Sequence, residues 1–92
     1  METENRKRIT IVCTGNVCRS PMAEYLLRHA LQAHPELDER LLVRSAGISA
    51  MAGAPPSSNA VRALQKVGLN LEPHRSQPLS SDILEETDLV LG

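Results

Sequence analysis

Cys13 and Arg19 lie six positions apart with Ser20 directly after, inside the run C-T-G-N-V-C-R-S at residues 13–20. A cysteine is nucleophilic only as its thiolate, which is favoured where backbone N–H groups, an arginine and a helix N-terminus face the sulfur. The same donors bind a tetrahedral oxyanion. Arg19 offers a planar two-pronged donor, the loop amides can form a nest, and a helix starting near Ser20 adds unpaired N–H groups and its positive dipole end. Gly15 is expected to supply the sharp turn that aims those amides inward. Residues 13–20 (Cys13, Thr14, Gly15, Asn16, Val17, Cys18, Arg19 and Ser20) therefore read as a phosphate pocket with Cys13 on its rim. The chemistry predicted is phosphoryl transfer to sulfur, with Arg19 and the amides stabilising the equatorial oxygens. The plain alternative is a buried structural cysteine beside a surface arginine. It leaves the strand before the loop and the helix start after it unexplained.

Those two elements are legible from the pattern. Arg8 to Val12, R-I-T-I-V, reads as a short buried strand. Ser20-Pro21 reads as an N-cap and first-turn residue, followed by Met22, Leu26, Leu27, Ala30 and Leu31 at helical spacing, with Glu24, Arg28 and Gln32 on the opposite side. His34 before Pro35 ends that helix. Leu41 to Val43 predicts a second strand closed by Ser45-Ala46-Gly47, and residues 48–58 a loop. Ser57, Ser58 or Asn59 can cap a second helix with Val61, Leu64 and Val67 as its stripe and Gly68 as its stop. After a loop at Pro73–Pro78, Leu79 to Glu86 predicts a short helix capped by Ser80 or Ser81, and Asp88 to Leu91 a last strand. The order β-α-β-α-α-β implies an α/β fold with a parallel sheet, whose ligands bind where loops leave the carboxyl ends of the strands.

Composition narrows the function. Ninety-two residues hold one small domain, and a net charge of −1 gives no basic field for nucleic acid. Tyr25 is the lone aromatic, so base stacking has little to work with. No apolar run approaches a membrane span. Two cysteines five positions apart favour a reducing, cytoplasmic setting over a disulfide framework. With His29, His34 and His74 they fit no familiar zinc spacing, so neither a metal nor a cofactor is predicted. His29 and His34 read as solvated, and Arg44, Arg62 and Arg75 as surface charges. The apolar Leu89-Val90-Leu91 reads as an edge strand able to pair with another chain.

The run V-C-T-G-N-V-C-R-S-P-M-A-E, with R-S-A-G at 44–47 and D-L-V-L at 88–91, strongly resembles the low-molecular-weight protein-tyrosine phosphatases, and the likeness spans residues 8–92. The resemblance implies a single phosphotyrosine phosphatase I-like domain over 1–92, a three-layer sandwich on a short parallel sheet, without counterparts of the family's last strand and helix. It implies Cys13 as nucleophile and Arg19 as phosphate ligand. Asn16, Ser20, Ser45 and His74 would form the hydrogen-bond network that holds the loop and activates the thiolate. Cys18 would pair reversibly with Cys13 under oxidation. At the position of Val17 the family carries Thr with phosphoarginine activity and Ile with phosphotyrosine activity. Residues 49–53 would form one wall of the substrate cleft, here with Met51 and small residues. The family's proton donor, an Asp in a D-P motif, has no match among these residues, and neither Asp82 nor Asp88 is expected over the loop.

The implied substrates are phosphorylated proteins or small phosphomonoesters, with no nucleic-acid or membrane partner. Three other readings remain: a catalytically impaired phosphate-binding module, a protein-arginine phosphatase, and an arsenate reductase. The last needs further redox cysteines and is the weakest.

Overall fold

The computed structural model describes residues 6–92. Seven elements follow in order: β1 (Lys7–Cys13), α1 (Arg19–Gln32), α2 (Pro35–Asp38), β2 (Leu41–Gly47), α3 (Ser58–Gln65), α4 (Ser81–Glu86) and β3 (Leu89–Leu91). The three strands form one parallel sheet in the order β2-β1-β3. β1 is central, and Ile9, Thr10 and Ile11 are all buried, as expected of a strand covered on both faces. The predicted α/β architecture and parallel sheet are therefore present.

Register matters for the site. Lys7 pairs with Leu41 and Cys13 with Gly47, so β1 and β2 end side by side and release their loops together. β3 pairs only with Ile9 to Ile11. Ile11 and Cys13 share a cavity with Ala23 of α1. On the other face the fully buried Thr10 hydroxyl meets the Thr87 hydroxyl at 2.7 Å beneath α4. Thr87 Oγ1 donates to the Ile83 carbonyl at 2.6 Å, so the Thr10 hydrogen points at Thr87. A second cluster, Ala60, Leu64 and Leu71, is packed by Cys18, Met22 and Tyr25 and fastens α3 beside the 13–20 loop.

Several expectations need correction. β2 extends to Gly47 rather than stopping at Val43, because its pairing with β1 continues to the last residue of both strands. The one-turn helix α2 was not anticipated; Pro35 at its first position both ends α1's run and starts a new turn. Arg44 is not a plain surface charge. Its Nε donates to Thr10 Oγ1 at 3.3 Å, its Nη2 to the Ile83 carbonyl at 3.1 Å, and its Nη1 pairs with Glu86 at 3.1 Å, fixing α4 to the sheet. Leu26 and Val67, both assigned to apolar stripes, are about half exposed.

The helix caps divide in the same way. Ser57 and Ser80 cap α3 and α4 as expected, accepting from Ala60 N and Ile83 N. Ser20 does not cap α1. The helix begins two residues earlier with Cys18 at the N-cap and no side-chain cap, because the Ser20 hydroxyl is engaged elsewhere.

Candidate active site

Cys13 is the last residue of β1, and its side chain enters a cavity of about 410 Å³ with Thr14, Arg19, Ser20, Ala23 and Ile48 on its walls. The sulfur lies 3.0 Å from Ser20 Oγ and accepts from the Asn16 backbone N–H at 3.3 Å. Partial burial pushes the Cys13 thiol up. The Ser20 hydroxyl and the backbone amides of Ser20, Asn16 and Gly15 outweigh it and hold the thiol below its ordinary value. Arg19 is exposed at the first position of α1 and lines the same cavity. A cavity with a sulfur whose thiol is held below its ordinary value, loop amides aimed at that sulfur and a guanidinium on one wall suits a tetrahedral dianion.

Asn16 organises the loop. It is completely buried, and it is the residue that takes a positive φ, 55°, whereas the turn had been assigned to Gly15. Asparagine tolerates the left-handed region, and its side chain converts the turn into a hub. Asn16 Nδ2 donates to Ser20 Oγ and to Ser45 Oγ, both at 2.9 Å, and Oδ1 accepts from Gln77 N at 2.8 Å. Its carbonyl accepts from His74 Nε2 at 2.8 Å, which places the ring hydrogen on Nε2. The four residues expected to cooperate, Asn16, Ser20, Ser45 and His74, are thus brought together. Tyr25 packs edge-on to His74, with ring centroids 6.3 Å apart and planes at 87°.

Cys18 is half-buried against the α3 cluster, and both cysteines are free thiols. The Val17 carbonyl accepts from Ser57 N at 2.8 Å.

Residues 8–92 match the model of the family described as Low molecular weight phosphotyrosine protein phosphatase. The chain belongs to that family. It is 41% identical over 85 residues to the low molecular weight protein-tyrosine-phosphatase Ptp of Acinetobacter johnsonii, covering 92% of this chain and 55% of that protein. The protein-arginine-phosphatase of Bacillus subtilis is also 41% identical, over 84 residues, or 91% of this chain and 53% of the relative. The crystal structure of a low molecular weight protein tyrosine phosphatase from T. tengcongensis superposes with a TM-score of 0.81 at 41% identity, covering 91% of this chain and 56% of that one. The chain spans about half the length of the curated relatives it matches.

Three residues of this phosphatase-family site had no assigned role from sequence. Glu24, placed on the polar side of the first helix, is 8% exposed. Its Oε1 accepts from Ser45 Oγ at 2.6 Å and its Oε2 from Arg28 at 2.9 Å. Gln77 holds Asn16 Oδ1 through its backbone N–H and the Ser45 carbonyl through Nε2. Gly47 sits where the 13–20 loop crosses the end of β2. A Cβ there would lie 2.7 Å from the Thr14 carbonyl oxygen and 2.9 Å from Asn16 N. The signal for Glu24 was its place one turn after Ser20, on the same helix face; only the register between α1 and β2 reveals its partner. Among the described residues, no cluster of three metal-ligating side chains exists, and no helix is long and apolar enough to cross a membrane.

Proposed function

We propose that the protein hydrolyses phosphomonoesters of phosphorylated proteins through a phosphocysteine intermediate on Cys13. The observation that carries this reading is the sulfur itself, ringed by Ser20 Oγ and loop amides, held below its ordinary pKa, and sharing a cavity with Arg19. The Cys13 thiolate attacks phosphorus in line, forming the S–P bond as the P–O bond to the leaving group breaks. Arg19 and the amides of residues 14–20 take up the charge on the three equatorial oxygens. Water then attacks phosphorus, the S–P bond breaks, and phosphate leaves with the thiolate regenerated.

The departing oxygen takes the electron pair of the broken bond and requires a proton. Among the described residues, none of the side chains lining the cavity is an acid. Asp88 accepts from Arg8 N at the far end of β1, about 16 Å of strand from Cys13. Residues 8–92 therefore supply nucleophile and phosphate loop, and aryl esters that depart as stable phenolates are the substrates they handle best by themselves.

The deciding assay is hydrolysis of an activated aryl phosphate by the native chain and by Cys13→Ser. The expected result is turnover in the first and none in the second; equal activity in both overturns the cysteine mechanism. Retained phosphate binding with no turnover in the native chain points to the binding-module reading instead. Parallel assays with phosphotyrosyl and phosphoarginyl peptides separate the two phosphatase specificities, since Val17 has the shape of Thr without its hydroxyl.

Cys18 is assigned a protective role. Peroxide oxidises Cys13 to the sulfenic acid, and the Cys18 thiol displaces water from it to give the disulfide. Two free thiols agree with action in the cytoplasm. β3, half exposed at Leu89 to Leu91 with one edge paired to β1, is assigned as a contact for a second copy; sedimentation of native and Val90→Lys chains tests it.

A further inference from the structure

The segment His74–Gln77 touches two different loops. His74 and Gln77 hold Asn16 in the phosphate loop, as described. Ser76, between them in sequence, faces the other way. It is 3% exposed, and each of its polar groups is spent on residues 51–54. Its N–H donates to the Ala54 carbonyl and its carbonyl accepts from Gly53 N, both at 2.8 Å. Its hydroxyl donates to the Met51 carbonyl and accepts from Ala54 N at 2.9 Å.

Those partners form the crest of a loop whose two ends are tied to the phosphate loop. Ile48 N donates to the Cys13 carbonyl and Ser49 N to the Thr14 carbonyl, each at 2.9 Å, and Ser57 N closes the far end on Val17. The crest has little packing of its own. Met51, Ala52 and Gly53 are exposed, and nothing lies within 4 Å of a Cβ built on Gly53. Ser76 thus supplies the fixing that packing does not. The loop carries two large exposed apolar side chains, Ile48 at 70% on the cavity wall and Met51 at 78% on the crest. Apolar groups beside an oxyanion pocket fit the organic part of a phosphoester, not its phosphate.

We infer that Ser76 is a positioning residue for the substrate's organic moiety, indexing the 48–57 wall against a phosphate loop that His74 and Gln77 index separately. This rests on the reading of the Cys13 cavity as a phosphoester site. Removing the hydroxyl leaves the Met51 carbonyl and Ala54 N–H without their partner and frees the crest to wander. The loss falls on peptide binding and spares inorganic phosphate, which meets only residues 13–20.

The test uses the full chain with Cys13→Ser, so that binding is read without turnover. Calorimetry compares inorganic phosphate with the better bound of a phosphotyrosyl and a phosphoarginyl peptide. Ser76→Ala is expected to weaken the peptide roughly five- to tenfold and to leave phosphate within about twofold. Gly53→Ala reaches the crest by another route. It forces a Cβ onto a φ of +80° in open space, leaves the core untouched, and is expected to give the same split. Peptide affinity unchanged in both variants overturns the inference, as does phosphate weakening in step with peptide or a parent protein that binds phosphate but neither peptide. Should Ser76→Ala not fold, Gly53→Ala decides alone. Turnover measured with Cys13 restored keeps the two readings apart. A lost split with intact turnover removes Ser76's role only, and an intact split without turnover removes the phosphatase reading only.

Discussion

Ser20 Oγ stands 3.0 Å from Cys13 Sγ, and towards a thiolate the serine is the donor. Asn16 Nδ2 donates to Ser20 Oγ from the other side, which leaves the serine's own hydrogen available to the sulfur. The same logic continues outward: Asn16 Nδ2 donates to Ser45, and Ser45 donates to the Glu24 carboxylate. The Asn16 amide is thus a common donor, one hydrogen to Ser20 on the thiol side and one to Ser45, which passes its own to Glu24.

Removing the last link should therefore move the thiol's titration. Ser20→Ala deletes the largest contribution that holds the Cys13 pKa down, while burial, which opposes it, remains. The midpoint of iodoacetamide alkylation against pH should shift upward, and the rate of aryl phosphate hydrolysis near neutral pH should fall roughly tenfold. The sign also fixes a stability effect. Because the folded thiol is depressed, its stabilising contribution is present above the unfolded-chain value and fades as pH falls through the folded one. Ser20→Ala should flatten that part of the pH–stability curve. An alkylation midpoint equal to the native protein's refutes the assigned direction.

Glu24 accepts at the end of the Ser45 branch. Glu24→Ala strands the buried Ser45 hydroxyl, at a cost of about 1–3 kcal/mol in a denaturant or thermal melt. Glu24→Gln keeps an amide oxygen for Ser45 to donate to, and should recover most of that loss. Equal destabilisation by both variants means that the charge, through Arg28, matters more than the acceptor.

How far the sequence reveals this site depends on whether a residue's role is local. The strand–loop–helix order around Cys13 and Arg19, the caps Ser57 and Ser80, and the Gly68 stop all follow from neighbouring residues, and apart from the helix start, which lies before Ser20, they stand where the pattern puts them. Asn16, Ser45 and His74 were named through a resemblance, since nothing near any of them indicates that residues 29 and 58 positions apart will meet. Glu24, Gln77 and Ser76 stayed hidden for the same reason. Each is a polar residue whose partners arrive only once β2 lies beside β1 and residues 76–77 reach the 13–20 and 51–54 loops. Gly15 drew the turn assignment because glycine is the usual tenant of positive φ. Asn16 took it because an asparagine there also supplies three side-chain bonds.

Gly47 offers the sharpest steric prediction. Its missing Cβ is the space through which the loop passes, with the Thr14 carbonyl and the Ala50 Cβ both 2.7 Å from where that atom would sit. Two of the three close neighbours are backbone atoms of the 13–20 loop, so side-chain rotation cannot relieve the clash. Gly47→Ala should cost about 1–3 kcal/mol of stability and weaken inorganic phosphate binding, read by calorimetry and melting on one sample. A variant that melts normally and binds phosphate normally contradicts this close approach.

Asn16 combines a backbone role and a side-chain role, and two substitutions separate them. Asn16→Gly keeps the left-handed backbone free of strain and loses only the bonds to Ser20, Ser45 and Gln77. Asn16→Ala loses the same bonds but keeps a Cβ at φ 55°, which relative to the glycine variant costs about 1–2 kcal/mol. Both should raise the Cys13 alkylation midpoint, because Ser20 is no longer oriented. Only the alanine variant should carry the extra loss in melting temperature. If glycine and alanine are equally destabilised, the turn is relaxing into an ordinary backbone conformation, and the hub is held by its side-chain bonds and not by the turn.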